Sequence, residues 1–260
     1  MTDLVAGPPT SLPLAFVIDY DGTICLSDVT DALTGTFAPT DEWLALDERY
    51  VRGDVGSRAL LERFVTWLPA EREPVAAVAA AQPHDETFAS FVALARRAGV
   101  AIEVVSDGYG FYVAPALEAL GVGDLPIATA RTSWASGRPE ISFPAGNPAC
   151  ALCGTCKRDR VLAQQARGLH VVLVGDGTSD RYAAAHADTI FAKEPLSAWC
   201  EREGWPYERW STFADVSAWL RRVLADPAAL VPSKPRTFIC GPEVWGPGRT
   251  WPAPTGRDRG

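Results

Sequence analysis

Asp19 and Asp21 stand one residue apart in FVIDYDGT (Phe16 to Thr23), directly behind the apolar run Leu14 to Ile18. A buried strand that delivers two carboxylates to its carboxyl end builds a ligand crevice in an open α/β sheet. The bland alternative is an acidic turn, since Asp and Gly are ordinary turn residues. Two further apolar runs end the same way: Val100 to Val105 runs into Ser106, Asp107 and Gly108, and His170 to Val174 into GDGTSD with Asp176 and Asp180. Parallel strands linked by helices bring all three ends to one edge. Carboxylates crowded there repel, raising one another's pKa unless a cation neutralises them. Oxygen-only donors point to Mg²⁺, and Lys157, opening a helical stretch, adds a fixed positive charge.

The surrounding pattern supplies the elements such a site needs. Helical periodicity is expected over 85–98, 111–120, 157–167, 180–186, 195–203 and 213–224, and strands over 14–18, 100–105, 125–130, 170–174 and 189–192. Glycines such as Gly99, Gly121 and Gly168 end several of the helices. Residues 131–148 form a β-hairpin or a long loop. Between the first two strands lie four short helical stretches, 28–37, 41–51, 57–68 and 74–80, with acidic or hydroxyl residues near their starts and no strand among them. Consecutive helices do not belong in an alternating sheet. The organisation expected is therefore an α/β core of residues 14–24 and 84–226, with a Rossmann-like parallel sheet flanked by helices. A helical cap follows at 25–83, and a Pro/Gly/Trp-rich extension at 227–260.

Composition narrows the partners. Apolar residues make up 47% and charged residues 22% of the 260 positions, as in ordinary globular proteins. The net charge of −8 argues against a nucleic-acid surface, and no apolar run is long enough to span a membrane. With no basic, apolar leader, the chain is expected in the cytoplasm, as a monomer or homodimer. The partner expected is a small phosphorylated metabolite, which one lysine, a metal ion and helix N-termini can hold within an acidic chain.

DYDGT (Asp19 to Thr23), VVSDG (Val104 to Gly108), Lys157 and GDGTSD (Gly175 to Asp180) resemble, in order, the four motifs of the haloacid dehalogenase superfamily of aspartyl-phosphate-forming phosphatases. The helical stretches between the first two motifs are similar to the cap of phosphoserine phosphatases. WLALDERYVRGDVGSRALLERF, VVSDGYGFYVAPALEALGV and CGTCK look like the branch that acts on 2-hydroxy-3-keto-5-methylthiopentenyl-1-phosphate in methionine salvage. Asp107 departs from that pattern, where glycine is usual, and Ser179 stands where phosphoserine phosphatases have asparagine.

The resemblance implies Asp19 as nucleophile, Asp21 as general acid and base, and Ser106 with the Asp107 amide and Lys157 on the phosphate. It also implies Mg²⁺ on Asp19, the Asp21 carbonyl and Asp176, with Asp180 ordering a ligand water or Lys157. Asp21 favours phosphatase over dehalogenase chemistry, because a departing halide needs no proton. Phosphoserine phosphatase-like activity, phosphotransferase or mutase activity, or a binding module that keeps the fold, are the alternatives.

Other residues are weighed against plainer readings. Asp28 and Arg58 are candidate substrate contacts, yet Asp28 and Asp31 serve equally as helix caps, and Arg52, Arg58 and Arg63 as a solvated face. Cys150, Cys153 and Cys156 are three ligands where structural zinc needs four; they are expected instead to pack a tight loop that aims Lys157. Tyr109, Phe111 and Tyr112 are expected in the core.

Overall fold

The computed structural model describes residues 12–231 together with 233 and 236. Its strands are β1 (Leu14–Ile18), β2 (Ala101–Tyr109), β3 (Ile127–Ser133), β4 (Glu140–Ser142), β5 (His170–Gly175), β6 (Thr189–Ala192) and β7 (Glu208–Arg209). They form one sheet in the order β4-β3-β2-β1-β5-β6-β7, with the acid-bearing β1 at its centre. All neighbours are parallel except β3 and β4.

Around the sheet run α5 (Phe88–Arg97), α6 (Gly110–Ala119), α7 (Lys157–Gln165), α8 (Arg181–Ala184), α9 (Leu196–Glu203) and α10 (Phe213–Ala225). Side chains alternate across the strands, so each face collects its own apolar set. Phe16, Ile18, Val172 and Val174 join Phe91, Phe213 and Trp219 on one side. Val17, Val171 and Leu173 join Val161, Ala183 and Leu196 on the other. Every residue of β1 is buried, as a central strand covered on both faces requires.

Four helices lie between β1 and α5: α1 (Val29–Phe37), α2 (Glu42–Arg52), α3 (Ser57–Phe64) and α4 (Arg72–Ala80). The chain leaves and rejoins the core where Cys25 and His84 form an antiparallel bridge. Buried Asp85 fixes the return point: Oδ1 accepts from the Thr87 amide at 2.8 Å, and Oδ2 from the Phe213 amide at 2.8 Å. Leu60, Leu61, Phe64 and Val75 of the insert belong to the same apolar cluster as Phe16 and Ile18. The insert therefore packs on the sheet domain.

Several elements differ from the sequence pattern. β2 continues past Val105 to Tyr109, with a register shift between those residues, so Ser106, Asp107 and Gly108 occupy an irregular stretch inside the strand. β3 extends into a hairpin with β4, the first alternative for 131–148. The third helix of the insert stops at Phe64 and tightens into a 3₁₀ turn over Val65–Trp67. The helix expected over 180–186 is a 3₁₀ turn, Thr178–Asp180, followed by the four residues of α8. β7 is too short to leave a sequence pattern, and beyond a 3₁₀ turn at Pro227–Ala229 most of the C-terminal extension lies outside the described residues.

Candidate active site

Strand register brings the three polar clusters together. Ile18 lies opposite both Val104 and Val174, so the chain past Ile18 emerges beside the ends of β2 and β5. The Asp19 amide continues the ladder, donating to the Val174 carbonyl at 2.9 Å. The chain then turns sharply, and the Tyr20 carbonyl accepts from the amides of Thr23, Ile24 and Cys25. Gly22 makes the turn possible with φ at +70°, and a Cβ there would lie 2.1 Å from Asp176 Oδ2.

Asp19 and Asp21 sit in different surroundings. Asp19 is 4% exposed, and its Oδ1 accepts from Lys157 Nζ and from the Tyr20 amide, each at 2.7 Å. Lys157 Nζ also reaches Asp180 Oδ1 at 2.7 Å and Ser179 Oγ at 2.7 Å. Burial alone would lower the lysine's pKa; Asp180 and Asp19 together outweigh it and hold the ammonium protonated. Asp180, fully buried, turns its other oxygen to the amides of Asp176 and Gly177 at 3.2 and 3.0 Å.

Asp21 faces away from this charge cluster. Its Oδ1 accepts from the Val29 amide at 3.0 Å, and its Oδ2 from Tyr112 Oη at 3.0 Å and Ser106 Oγ at 3.3 Å. Those donors favour the carboxylate, but desolvation, and after it the nearby Asp28, outweigh them and move Asp21 well above the usual carboxylate range. A shift in that direction favours the protonated form, which can give a proton.

Asp19, Asp176 and Asp180 offer oxygens that all lie within 4.8 Å of one another, the one such group of acids, histidines or cysteines among the described residues. Three carboxylates face one lysine there, a surplus of two negative charges. Burial and Asp180 push Asp176 up to about 7, and burial and Asp180 likewise raise Asp19. Thr23 Oγ1 holds Asp176 Oδ1 at 3.0 Å. An oxygen-only group with two uncompensated charges fits a hard divalent cation.

Over the acids lies a cavity of about 280 Å³, its walls shared by the sheet edge and the insert. Asp107 and Gly108 line it from β2, Asp28, Asp47 and Tyr50 from the insert. Asp28 caps α1, accepting from the Asp31 amide at 3.0 Å, while remaining on the cavity wall. Ser106 is fully buried, its Oγ accepting from the Gly108 amide at 3.0 Å. Asp107 Oδ1 accepts from the Thr155 amide at 2.7 Å, and burial raises its carboxyl to about 6 against the lowering pull of Ser57 and that amide.

Arg58 does not line the cavity. Its Nε donates to the Cys153 carbonyl at 3.3 Å and its guanidinium covers the Phe143 ring, so it joins the insert to the cysteine loop instead. The Arg58 amide on the Leu152 carbonyl at 3.2 Å and the Gly154 amide on Ser57 Oγ at 3.1 Å complete that seam. Cys150, Cys153 and Cys156 form no metal group, and burial pushes the Cys156 thiol up to about 12.

Three contributors escaped the sequence reading. Tyr112 is buried as expected of a core aromatic, yet its hydroxyl reaches Asp21. Thr23 braces Asp176, and the Tyr20 hydroxyl is paired with His84 Nε2 at 2.7 Å. Thr23 and Tyr20 had a signal, their place in DYDGT; Tyr112 had none.

Residues 16–185 match the model of the haloacid dehalogenase-like hydrolases. The chain belongs to that family. It is 31% identical over 216 residues to a 2-hydroxy-3-keto-5-methylthiopentenyl-1-phosphate phosphatase of Geobacillus thermodenitrificans, covering 81% of this chain and 96% of the relative. A second phosphatase of that name, from Brevibacillus brevis, is 28% identical over 82% of this chain and 97% of its own length. The bifunctional enzyme MtnB/MtnX of Bacillus licheniformis is 31% identical over 82% of this chain, which spans 49% of that longer protein. Among solved structures, a phospho-aspartyl intermediate analogue of phosphoserine phosphatase shares the family's fold, with TM-score 0.61 and 18% identity over 82% of this chain and 97% of the other.

Proposed function

We propose that this family member is a Mg²⁺-dependent phosphomonoester hydrolase acting on a small phosphorylated metabolite through an aspartyl-phosphate intermediate. The observation that carries the reading is the separation of Asp19 from Asp21: one acid lies against Lys157 among charges, and the other is desolvated and held toward Tyr112 and Ser106. Asp19 attacks phosphorus as the bond to the alcohol oxygen breaks, and Asp21 gives that oxygen its proton. Asp21, now ionised, takes a proton from a water that attacks the aspartyl-phosphate, releasing inorganic phosphate and restoring Asp19.

Ser106 Oγ and the Asp107 amide receive phosphate oxygens, while Lys157, held by Asp180, neutralises charge beside Asp19. Asp19, Asp176 and the Asp21 carbonyl would hold Mg²⁺, which when bound supplies charge neutralisation to the phosphoryl oxygens. Its loss should abolish turnover.

The printed names of the relatives make 2-hydroxy-3-keto-5-methylthiopentenyl-1-phosphate the first metabolite to assay. The same reading puts the enzyme in the cytoplasm as a monomer or homodimer. No helix among the described residues is long and apolar enough to cross a membrane. Purified protein with Mg²⁺ should hydrolyse p-nitrophenyl phosphate, and Asp19→Asn should fall at least about 10³-fold toward background, as loss of a covalent nucleophile does. Undiminished phosphate release by that variant would overturn the mechanism.

A further inference from the structure

The Asp21 carboxyl is held by the Val29 amide on Oδ1, and by Ser106 Oγ and the Tyr112 hydroxyl on Oδ2. A serine hydroxyl carries one proton to donate. Once Ser106 gives that proton to a phosphate oxygen, as its role beside the nucleophile requires, Oδ2 loses its 3.3 Å donor. Among the described residues one donor to Oδ2 then remains, Tyr112 at 3.0 Å.

Tyr112 is fixed for that contact from several sides. Its side chain, in α6, is 5% exposed, with its ring centre 5.7 Å from that of Tyr20 and 5.3 Å, edge to face, from that of Phe111. Its hydroxyl also lies 3.3 Å from Oγ1 of buried Thr30, in the first turn of α1. With Tyr112 donating to Asp21, Thr30 donates to Tyr112, so the chain of hydroxyls runs from the insert to the acid, each bond polarising the next. Gly108 supplies the room. A Cβ there would lie 1.9 Å from Tyr112 Oη and 2.7 Å from Asp21 Oδ2, so no larger residue fits beside this pair.

We propose that Tyr112 is a positioning residue for the general acid: its hydroxyl holds the Asp21 carboxyl toward the leaving oxygen while Ser106 is occupied by phosphate. The inference rests on the phosphatase reading above and adds to it a residue that acts through Asp21. An alkyl ester, whose alcohol leaves only with a proton, depends on that placement; an aryl ester with a stable anionic leaving group does not.

Tyr112→Phe tests it, keeping the ring and removing the hydroxyl. The readout is kcat/KM, which covers the steps up to release of the alcohol, on 2-hydroxyethyl, butyl and glycerol phosphates and on p-nitrophenyl phosphate. The best alkyl ester should lose about tenfold or more, and the aryl ester, which reports in the same protein that the fold is intact, less than about threefold. In an Asp21→Asn background the same substitution should cost the alkyl ester less than about twofold further, because the hydroxyl then has no acid to place. Equal losses on the two kinds of ester, an undiminished alkyl rate, or an equally large further loss in the Asp21→Asn background would overturn the role of Tyr112. If Asp21→Asn is selective for alkyl esters and Tyr112→Phe is not, that role alone fails and the phosphatase reading stands. No hydrolysis of any ester by the wild type sinks both.

Discussion

The two walls of the cavity are built on opposite terms. On the sheet side, Asp19, Asp180 and Lys157 are at most 4% exposed, and each charge has a partner within 2.7 Å. On the insert side, Asp28 and Asp31 are open to water, Asp47 is half-buried, and no basic side chain lines the cavity beside them. The sheet wall is held by strand ends and backbone amides, which fix positions that chemistry needs to a fraction of an ångström. The insert wall is borne on helices, and its acids meet water rather than a buried counter-charge. On the proposed mechanism the reacting groups belong to the sheet wall, so single substitutions in the two walls should fall into two classes.

Asp21→Asn offers the largest effect after loss of the nucleophile: about 10²- to 10⁴-fold in kcat on an alkyl phosphate, measured by phosphate release. An aryl phosphate, whose leaving group needs little protonation, should lose far less. Equal losses on the two esters would remove the sheet wall's division of labour. Lys157→Met should cost stability as well as activity, because Asp19 and Asp180 lose their counter-charge. Removing one partner of a buried pair costs roughly 3–5 kcal/mol, which urea unfolding would register. A loss below about 1 kcal/mol would mean that the sheet wall is not braced by charge.

Asp107 lies between the two walls, and its test is one of pH. Its carboxyl is raised to about 6 in the fold, from an ordinary value near 3.8, so the folded protein binds the extra proton. Its contribution is complete below the ordinary value and is lost as pH rises to about 6. In EDTA, the fall in unfolding free energy between pH 4.5 and 7.5 should be smaller in Asp107→Asn than in the wild type. An identical fall would show that this carboxyl does not titrate with folding. Arg58→Ala should do least. A single hydrogen bond and one cation–π contact predict a stability loss of about 1–2 kcal/mol, with KM for p-nitrophenyl phosphate unchanged within about threefold. A tenfold rise in KM would return Arg58 to the substrate.

The difference between the walls also explains what could be read beforehand. Asp19, Ser106 and Asp176 follow apolar runs, so a local pattern placed them on one sheet edge, and the register of β1 with β2 and β5 agrees with it. Lys157 was legible as the start of a helix. Tyr112 was not: its spacing marks it as core, and only the packing of α6 beside the Asp21 loop turns its hydroxyl to the acid. Arg58 and Asp47 have no local pattern either. Which face of an insert helix meets the cavity depends on contacts such as Arg58 Nε with the Cys153 carbonyl, 95 positions away in the chain. Asp28 caps α1 as one of its candidate readings expects, and it lies on the cavity wall.

The bridge between Cys25 and His84 has a consequence for how such a protein can change length. Because the insert departs and returns at positions already held against each other, residues can be gained or lost between them without shifting β1 against β2. Each doubling of the intervening chain adds only about 0.6 kcal/mol of closure entropy. The sheet has no such latitude: one residue added before Asp19 would turn that carboxylate to the opposite face. Insertions and deletions tolerated during divergence should therefore gather between residues 26 and 83, where they reshape the mouth of the cavity while the reacting groups stay in place.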